Sequence, residues 1–201
     1  DRVHYIGNFV PPGRVADAAE VAALRQRLGL AAPARVVLAM GRLIEKKGFD
    51  SFIAACGSLA RQGVAFDAAI AGEGPLRGRL EELINAAGLQ GRVRLLGWRS
   101  YRELVTLYRQ AAVFVLPSRI TEDGDRDGIP NVLIEALLHR VPVISTAVSA
   151  IPELVRDGET GQLIAPDDPA ALTDALRRVL ADPAAARATA EAGRVAVLRD
   201  F

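Results

Sequence analysis

Two cations and two carboxylates stand where their types and spacing could do chemistry. Arg42 and Lys47 lie in the loop Gly41-Arg42-Leu43-Ile44-Glu45-Lys46-Lys47-Gly48, between an apolar run and a helical pattern. Glycine lets the backbone turn sharply and lets a ligand approach it. A helix start already favours anions, and paired cations add charge-assisted hydrogen bonds. A diphosphate is the natural ligand for such a loop, although a solvated basic loop would carry the same residues. Lys47 precedes Gly48 and Phe49 follows it, so G-x-x-x-x-G-K-S/T is absent. That argues against a Walker-type triphosphate site.

The carboxylates belong to the segment from Pro117 to Glu135, and three readings of it compete. Asp123, Asp125, Asp127 and Gly128 copy the opening of a calcium-binding EF-hand loop. The bidentate Glu of that loop would then fall on Ile134, Glu135 is one residue late, and Pro130 interrupts. Short D-x-D triplets can also hold a metal, and they arise readily by chance. The third reading pairs Asp127 with Glu135. If Gly128–Asn131 turns into a helix, Asp127 precedes that helix and Glu135 lies more than a turn inside it. One carboxylate could then reach one end of an elongated ligand and the other its ribose. Backbone N–H groups around Ile129–Val132 could bind a phosphate. Taken alone, the segment equally fits a solvated acidic loop beside a helix-dipole carboxylate.

Gly72-Glu73-Gly74-Pro75-Leu76-Arg77-Gly78 resembles a dinucleotide fingerprint, with its last glycine one position late. The next strand ends in Gly97-Trp98-Arg99, without the acid that would hold a ribose. Pro75 as a first helical residue explains the segment as structural punctuation.

The elements that must position these loops are read from hydrophobic periodicity. Buried strands are expected at Val36–Met40, Phe66–Ala71, Val93–Leu96, Ala112–Leu116 and Val141–Ser145, with a short one at Leu163–Ala165. Helices are expected at Phe49–Gln62, Pro75–Ala87, Tyr101–Ala111, Pro130–His139, Pro152–Val155, Pro169–Leu180 and Ala184–Leu198. Continuous apolar strands alternating with helices predict an α/β fold, a Rossmann-like parallel sheet flanked by helices. Ligands on such sheets bind at the carboxyl ends of the strands.

Composition narrows the partners. The chain has 201 residues, with 25 Lys and Arg against 24 Asp and Glu, for a formal charge of +1. Nothing global points to nucleic acid, so functional charge must be local. Cys56 is the only cysteine and reads as a small buried residue on a helix. With His4 and His139 the only histidines, a His/Cys metal site is hard to build. No apolar run reaches the roughly 18–20 residues of a membrane span, and no signal-peptide pattern opens the chain. Both ends read as cuts in a larger protein, with residues 1–18 as an interdomain segment and 19–201 as the binding domain.

In order and spacing, these pieces resemble the retaining GT-B enzymes of glycosyltransferase family 4. The matching motifs are Gly41-Arg42-Leu43 with Lys47-Gly48, the stretch Gly72–Leu80, the acid-x7-Glu pair Asp127–Glu135, and Val141-Pro142-Val143-Ile144. Ala150–Val155 and Asp157–Gly161 follow, so the resemblance spans nearly the whole chain. Val3–Phe9 is similar to the family's interdomain segment, but its Asn-Gly turn is replaced by Gly7-Asn8-Phe9.

The resemblance implies the C-terminal, nucleotide-sugar-binding domain of such an enzyme. It implies that Arg42 and Lys47 bind the donor diphosphate and stabilise the leaving group, without a metal or other cofactor. Glu135 would bind ribose hydroxyls, and Asp127, in place of the family's first Glu, would contact the donor sugar. Gly41 and the backbone of Gly128, Ile129, Pro130, Asn131 and Val132 would hold sugar and phosphate. Gly97, Trp98 and Arg99 would line the base pocket, with Trp98 a wall or simply a packing residue. Arg140 stands where the family often has Gly, and with His139 it reads as helix-terminal structure.

An acceptor glycan, or a lipid-linked one, would bind an N-terminal domain absent from this chain. That absent domain would also make any peripheral contact at the inner face of the membrane. The implied setting is cytoplasmic synthesis of bacterial polysaccharide or lipopolysaccharide, and the isolated chain is expected to be inactive. The alternatives are a sugar-nucleotide epimerase of the same architecture and a non-catalytic α/β ligand-binding module.

Overall fold

The computed structural model describes residues 18–30 and 35–201. The expected segment 1–18, with Val3–Phe9, lies outside the described residues except for Ala18, which opens a helix. Six strands form one sheet: β1 Val36–Met40, β2 Asp67–Ala71, β3 Val93–Gly97, β4 Ala111–Leu116, β5 Val143–Thr146 and β6 Gln162–Ile164. Their order is β3-β2-β1-β4-β5-β6, and every neighbouring pair is parallel. Every residue of β1 and β2 is buried. That is the pattern of a sheet covered on both faces, and it is why β1 reads as an unbroken apolar run and β2 as an apolar run after Asp67.

Among the described residues there are eight α-helices: α1 Ala18–Arg27, α2 Phe49–Arg61, α3 Arg77–Ala86, α4 Tyr101–Gln110, α5 Asn131–Leu138, α6 Ile151–Leu154, α7 Pro169–Ala181 and α8 Pro183–Asp200. Right-handed crossovers carry the chain from β1 outward to β2 and β3, then back across the sheet to β4 and outward the other way. This puts α2 and α3 on one face and α4 and α5 on the other. α7 returns to pack on α2, and α8 packs on α5. A single core runs through both layers, with Phe52 and Cys56 of α2, Leu38 of β1 and Phe114 of β4 fully buried. Burial pushes the Cys56 thiol pKa far up, so it is an inert packing group.

The expected elements are present, with ends shifted by a residue or two. β5 starts at Val143 rather than Val141. Pro142 has no N–H to pair, while its carbonyl accepts from Phe114 N–H at 2.8 Å. α3 starts at Arg77 rather than Pro75, with Leu76 at the N-cap and its N–H donating to Leu43 O at 3.0 Å. α1 was not expected; it buries only Leu24, too thin a stripe to show in the pattern. Among the described residues no helix is long and apolar enough to cross a membrane.

Candidate functional site

β1 and β4 are neighbours, but the chain leaves them toward opposite edges of the sheet. At such a switch point the two strand ends open a crevice between helices on opposite faces. The loop after β1 carries Arg42 and Lys47; the loop after β4 carries Asp127. The topology alone therefore faces these loops toward each other.

The β1 loop is clamped from both sides. On the β2 side, Leu43 N–H donates to Glu73 O at 2.8 Å, and Gly72 N–H to Gly97 O at 2.9 Å. A Cβ on Gly72 would stand 1.9 Å from Gly41 O, so the two loops touch backbone to backbone. Gly72 and Gly74 of the dinucleotide lookalike thus serve loop packing, Gly74 against the Leu43 backbone, while Gly78 has open space beside it. On the β4 side, a 3-10 turn over Glu45–Lys47 ends at Gly48, which has φ 65°. A Cβ there would stand 1.9 Å from Pro117 O. Arg119 N–H donates to Lys46 O at 2.9 Å. The Arg119 guanidinium grips Asp50 with two bonds of 2.7 and 3.0 Å and Ser51 at 2.9 Å, at the start of α2.

Within this frame Lys47 Nζ lies 2.7 Å from Asp127 Oδ2, and Ser118 Oγ lies 3.4 Å from the same oxygen. Lys46 Nζ lies 2.8 Å from Asp125 Oδ1 and 3.7 Å from Asp127 Oδ1. The side chains of Lys47 and Asp127 are only 11% and 14% exposed, so water screens their attraction weakly, and desolvation offsets part of it. The bond from Asp125 raises the Lys46 pKa, against desolvation, so its ammonium stays charged. Arg42, Ile44, Glu45 and Lys46 face Thr121, Glu122, Asp123 and Asp125 across an open cleft of about 460 Å³.

Asp123 accepts from Thr121 Oγ1, which with the Asp125 N–H lowers its pKa. The three aspartates that mimic a calcium loop are thus engaged by two lysines and a hydroxyl. Among the described residues no group of His, Cys, Asp and Glu is disposed to hold a metal ion.

α5 begins beside Asp127. Gly128 and Asn131 are exposed, Ile129 and Val132 half-buried and Pro130 buried. No side chain caps this helix, so its first-turn N–H groups have no side-chain acceptor, and the Leu133 N–H turns to Pro130 O at 2.9 Å. Glu135, half-buried, accepts from Tyr108 Oη at 3.0 Å. Burial raises its carboxyl pKa, and the Tyr108 hydrogen bond works against that rise. Burial, then the Glu135 charge, pushes the Tyr108 phenol pKa well above its usual range, so it remains a donor. The His139 ring stacks on Tyr108 at 5.4 Å. Burial, then nearby Arg109, lowers the His139 pKa. Arg140 follows with φ 58° and closes the helix through Val141 N–H to Ala136 O. That left-handed position is the reason a glycine suits it elsewhere.

The third loop is differently arranged. Gly97 is buried at φ 71°, while Trp98 is 70% exposed, which rules out the core-packing reading. Arg99 is turned back on its own loop, to Leu96 O at 2.5 Å and Glu103 Oε1 at 3.6 Å. A capping box between Ser100 and Glu103 starts α4 immediately after.

Sequence reasoning missed Lys46, Ser118, Tyr108 and Arg119. The S-x-x-E signature of Ser100–Glu103 was legible, and Lys46 lay beside the chosen Lys47. Nothing local marks Arg119 or Tyr108, whose partners are distant in the chain: Asp50 and Ser51 for one, Val132 and Glu135 for the other.

A doubly wound α/β domain with a cation-lined crevice at its switch point is the class that fold and site define. The chain belongs to the family described as glycosyl transferases group 1, whose model matches residues 20–196. It is 42% identical over 136 residues to the putative colanic acid biosynthesis glycosyltransferase WcaL of Salmonella typhimurium, covering 68% of this chain and 34% of that one. It is 31% identical over 199 residues to the lipopolysaccharide core biosynthesis glycosyltransferase LpsE of Rhizobium meliloti, covering 99% of this chain and 54% of that one. The chain thus spans between a third and about half of these relatives. The crystal structure of HepE from Anabaena in complex with UDP-glucose shares the fold, with TM-score 0.80 at 24% identity over 92% of this chain and 50% of that one.

Proposed function

We propose that this chain is the donor-binding half of a retaining, metal-independent glycosyltransferase of family 4 that builds bacterial surface polysaccharide. The observation that carries the reading is the 2.7 Å contact between Lys47 and Asp127 across the switch point. It brings a cation from the β1 loop and an acid from the β4 loop to one place, beside Lys46, which with Arg42 lines the cleft. Arg42 and Lys47, joined by Lys46, bind the donor diphosphate. As the glycosidic bond to the diphosphate breaks, they stabilise the negative charge gathering on the leaving oxygen. Fixed ammonium and guanidinium groups supply there what a divalent ion supplies elsewhere. The uncapped N–H groups at the start of α5 take a phosphate or sugar hydroxyl, Asp127 meets the sugar, and Glu135 meets the ribose. The base lies toward Gly97–Arg99, with exposed Trp98 as its wall. The acceptor, a glycan or lipid-linked glycan, binds outside this chain. The relatives named for colanic acid and lipopolysaccharide core synthesis support that setting.

Calorimetric titration with UDP, GDP and ADP tests the reading and identifies the base. Arg42→Ala and Lys47→Ala should each weaken binding at least about tenfold, roughly 1.4 kcal/mol for one lost charge-assisted contact. Binding of all three nucleotides unchanged in both variants would overturn the reading.

A further inference from the structure

Tyr108 has one phenolic proton and two acceptors within reach. Its Oη lies 3.0 Å from Glu135 Oε2 and 3.2 Å from the Val132 carbonyl oxygen. The residue is 1% exposed. Its ring is held between Phe114 of β4, centroids 5.6 Å apart, and His139 at the end of α5, 5.4 Å away and stacked at 21°. A buried aromatic that served packing alone would do so as phenylalanine, without an oxygen to satisfy. Here the oxygen is aimed at the half-buried Glu135 carboxylate and at the first turn of α5.

We propose that Tyr108 is a positioning residue for the nucleotide: by engaging Oε2 of Glu135 it leaves Oε1 to accept from the ribose hydroxyls. The proposal rests on the donor-site reading above. A glutamate on a helix has three rotatable bonds, and a ligand that must freeze them loses affinity. A donor already bound to one carboxylate oxygen removes much of that freedom before the ligand arrives. The donor is rigid because it is packed between a strand and a helix. It also stays protonated, since burial and the Glu135 charge both oppose loss of its proton. The other titratable groups near it are Tyr101, whose charge would likewise oppose loss of the phenolic proton, His139, stacked on the ring at 5.4 Å, and Arg109, which acts on His139.

Tyr108→Phe removes the oxygen and keeps the ring. The test is calorimetry on this chain with the tightest binder among UDP, GDP and ADP, with the corresponding 2′-deoxynucleotide, and with inorganic pyrophosphate. The expected result is roughly tenfold weaker binding of the ribonucleotide and unchanged binding of pyrophosphate. The preference of the wild type for ribose over deoxyribose should shrink by a similar factor. In a Glu135→Ala background, Tyr108→Phe should add no further loss. An equal loss for pyrophosphate, or a loss that persists without Glu135, would overturn the positioning role and leave a structural one. Tight wild-type binding with no change in Tyr108→Phe would overturn the positioning role alone. A wild type that binds neither nucleotide nor pyrophosphate would overturn the donor-site reading and this proposal together.

Discussion

Lys46 and Lys47 are paired with Asp125 and Asp127, so a diphosphate binding to these lysines competes with carboxylates of the facing loop. The residues that bind charge are therefore kept in place by charge. Behind them sit two titrating groups with opposite effects on stability. The folded protein holds the His139 pKa below its ordinary value of about 6.5. Its contribution is therefore full above that pH and is lost as pH falls toward the folded value. Glu135 is held above its ordinary value of 4.5, so its charge opposes folding at neutral pH. That cost is relieved as pH falls through its folded pKa toward 4.5. An ordinary histidine titrates within pH 7.5 to 5.5 and an ordinary glutamate below it, so the histidine sets the expected sign over that range. Melting temperatures should fall over that range by no more than about 2–4 °C, equivalent to about 1 kcal/mol in a domain of this size. His139→Gln should flatten the fall, and Glu135→Gln should raise the neutral-pH melting temperature while weakening nucleotide binding. A wild-type melting temperature that rises steadily from pH 7.5 to 5.5 would refute this assignment. At this scale Lys47, Asp127 and Glu135 could be chosen from the sequence because their motifs are local. Tyr108 could not be tied to Glu135, because 27 residues and a whole strand separate them.

The elements were more legible than the contacts between their loops. β1, buried on both faces, shows as an unbroken apolar run, and β2 does so after Asp67. α1 buries one residue and shows as nothing. What no periodicity reveals is that the β1 loop is moulded on its neighbours. Gly48 is the clearest case: its φ of 65° suits glycine, and a side chain there would strike the Pro117 carbonyl of the β4 loop. The same turn carries Lys46 and Lys47, so positional strain at Gly48 is strain in the cation pair. Gly48→Ala should cost about 3 kcal/mol or more, since backbone strain and a backbone clash add. Thermal unfolding would register that as a fall of about 6–12 °C. Nucleotide binding should weaken as well, even though Gly48 need not touch the ligand. A variant with an unchanged melting temperature would show that the two loops can part without cost, and the account of the clamp would fail.

At the scale of the whole molecule, a net charge of +1 provides no long-range field to gather an anionic donor. Affinity must come from the few cations of the crevice. Their strength as catalysts depends on what surrounds them. Electrostatic stabilisation of a leaving diphosphate is large where water is excluded and small where solvent screens it. In this chain the cleft lies open. The relatives are two to three times longer than the region matched, and in the longer proteins further chain is available to cover the site and bring an acceptor. We expect binding and chemistry to separate here. The 201-residue chain should bind its nucleotide measurably, yet release nucleoside diphosphate from the sugar donor at far below the roughly 1 s⁻¹ of a modest enzyme, with or without glycan acceptors. Coupled detection of diphosphate release over hours, run beside calorimetry on the same sample, measures both quantities. Turnover near 1 s⁻¹ would mean that an open crevice with three cations and one acid is sufficient. The role given to enclosure would then be wrong, even with the donor site correctly placed.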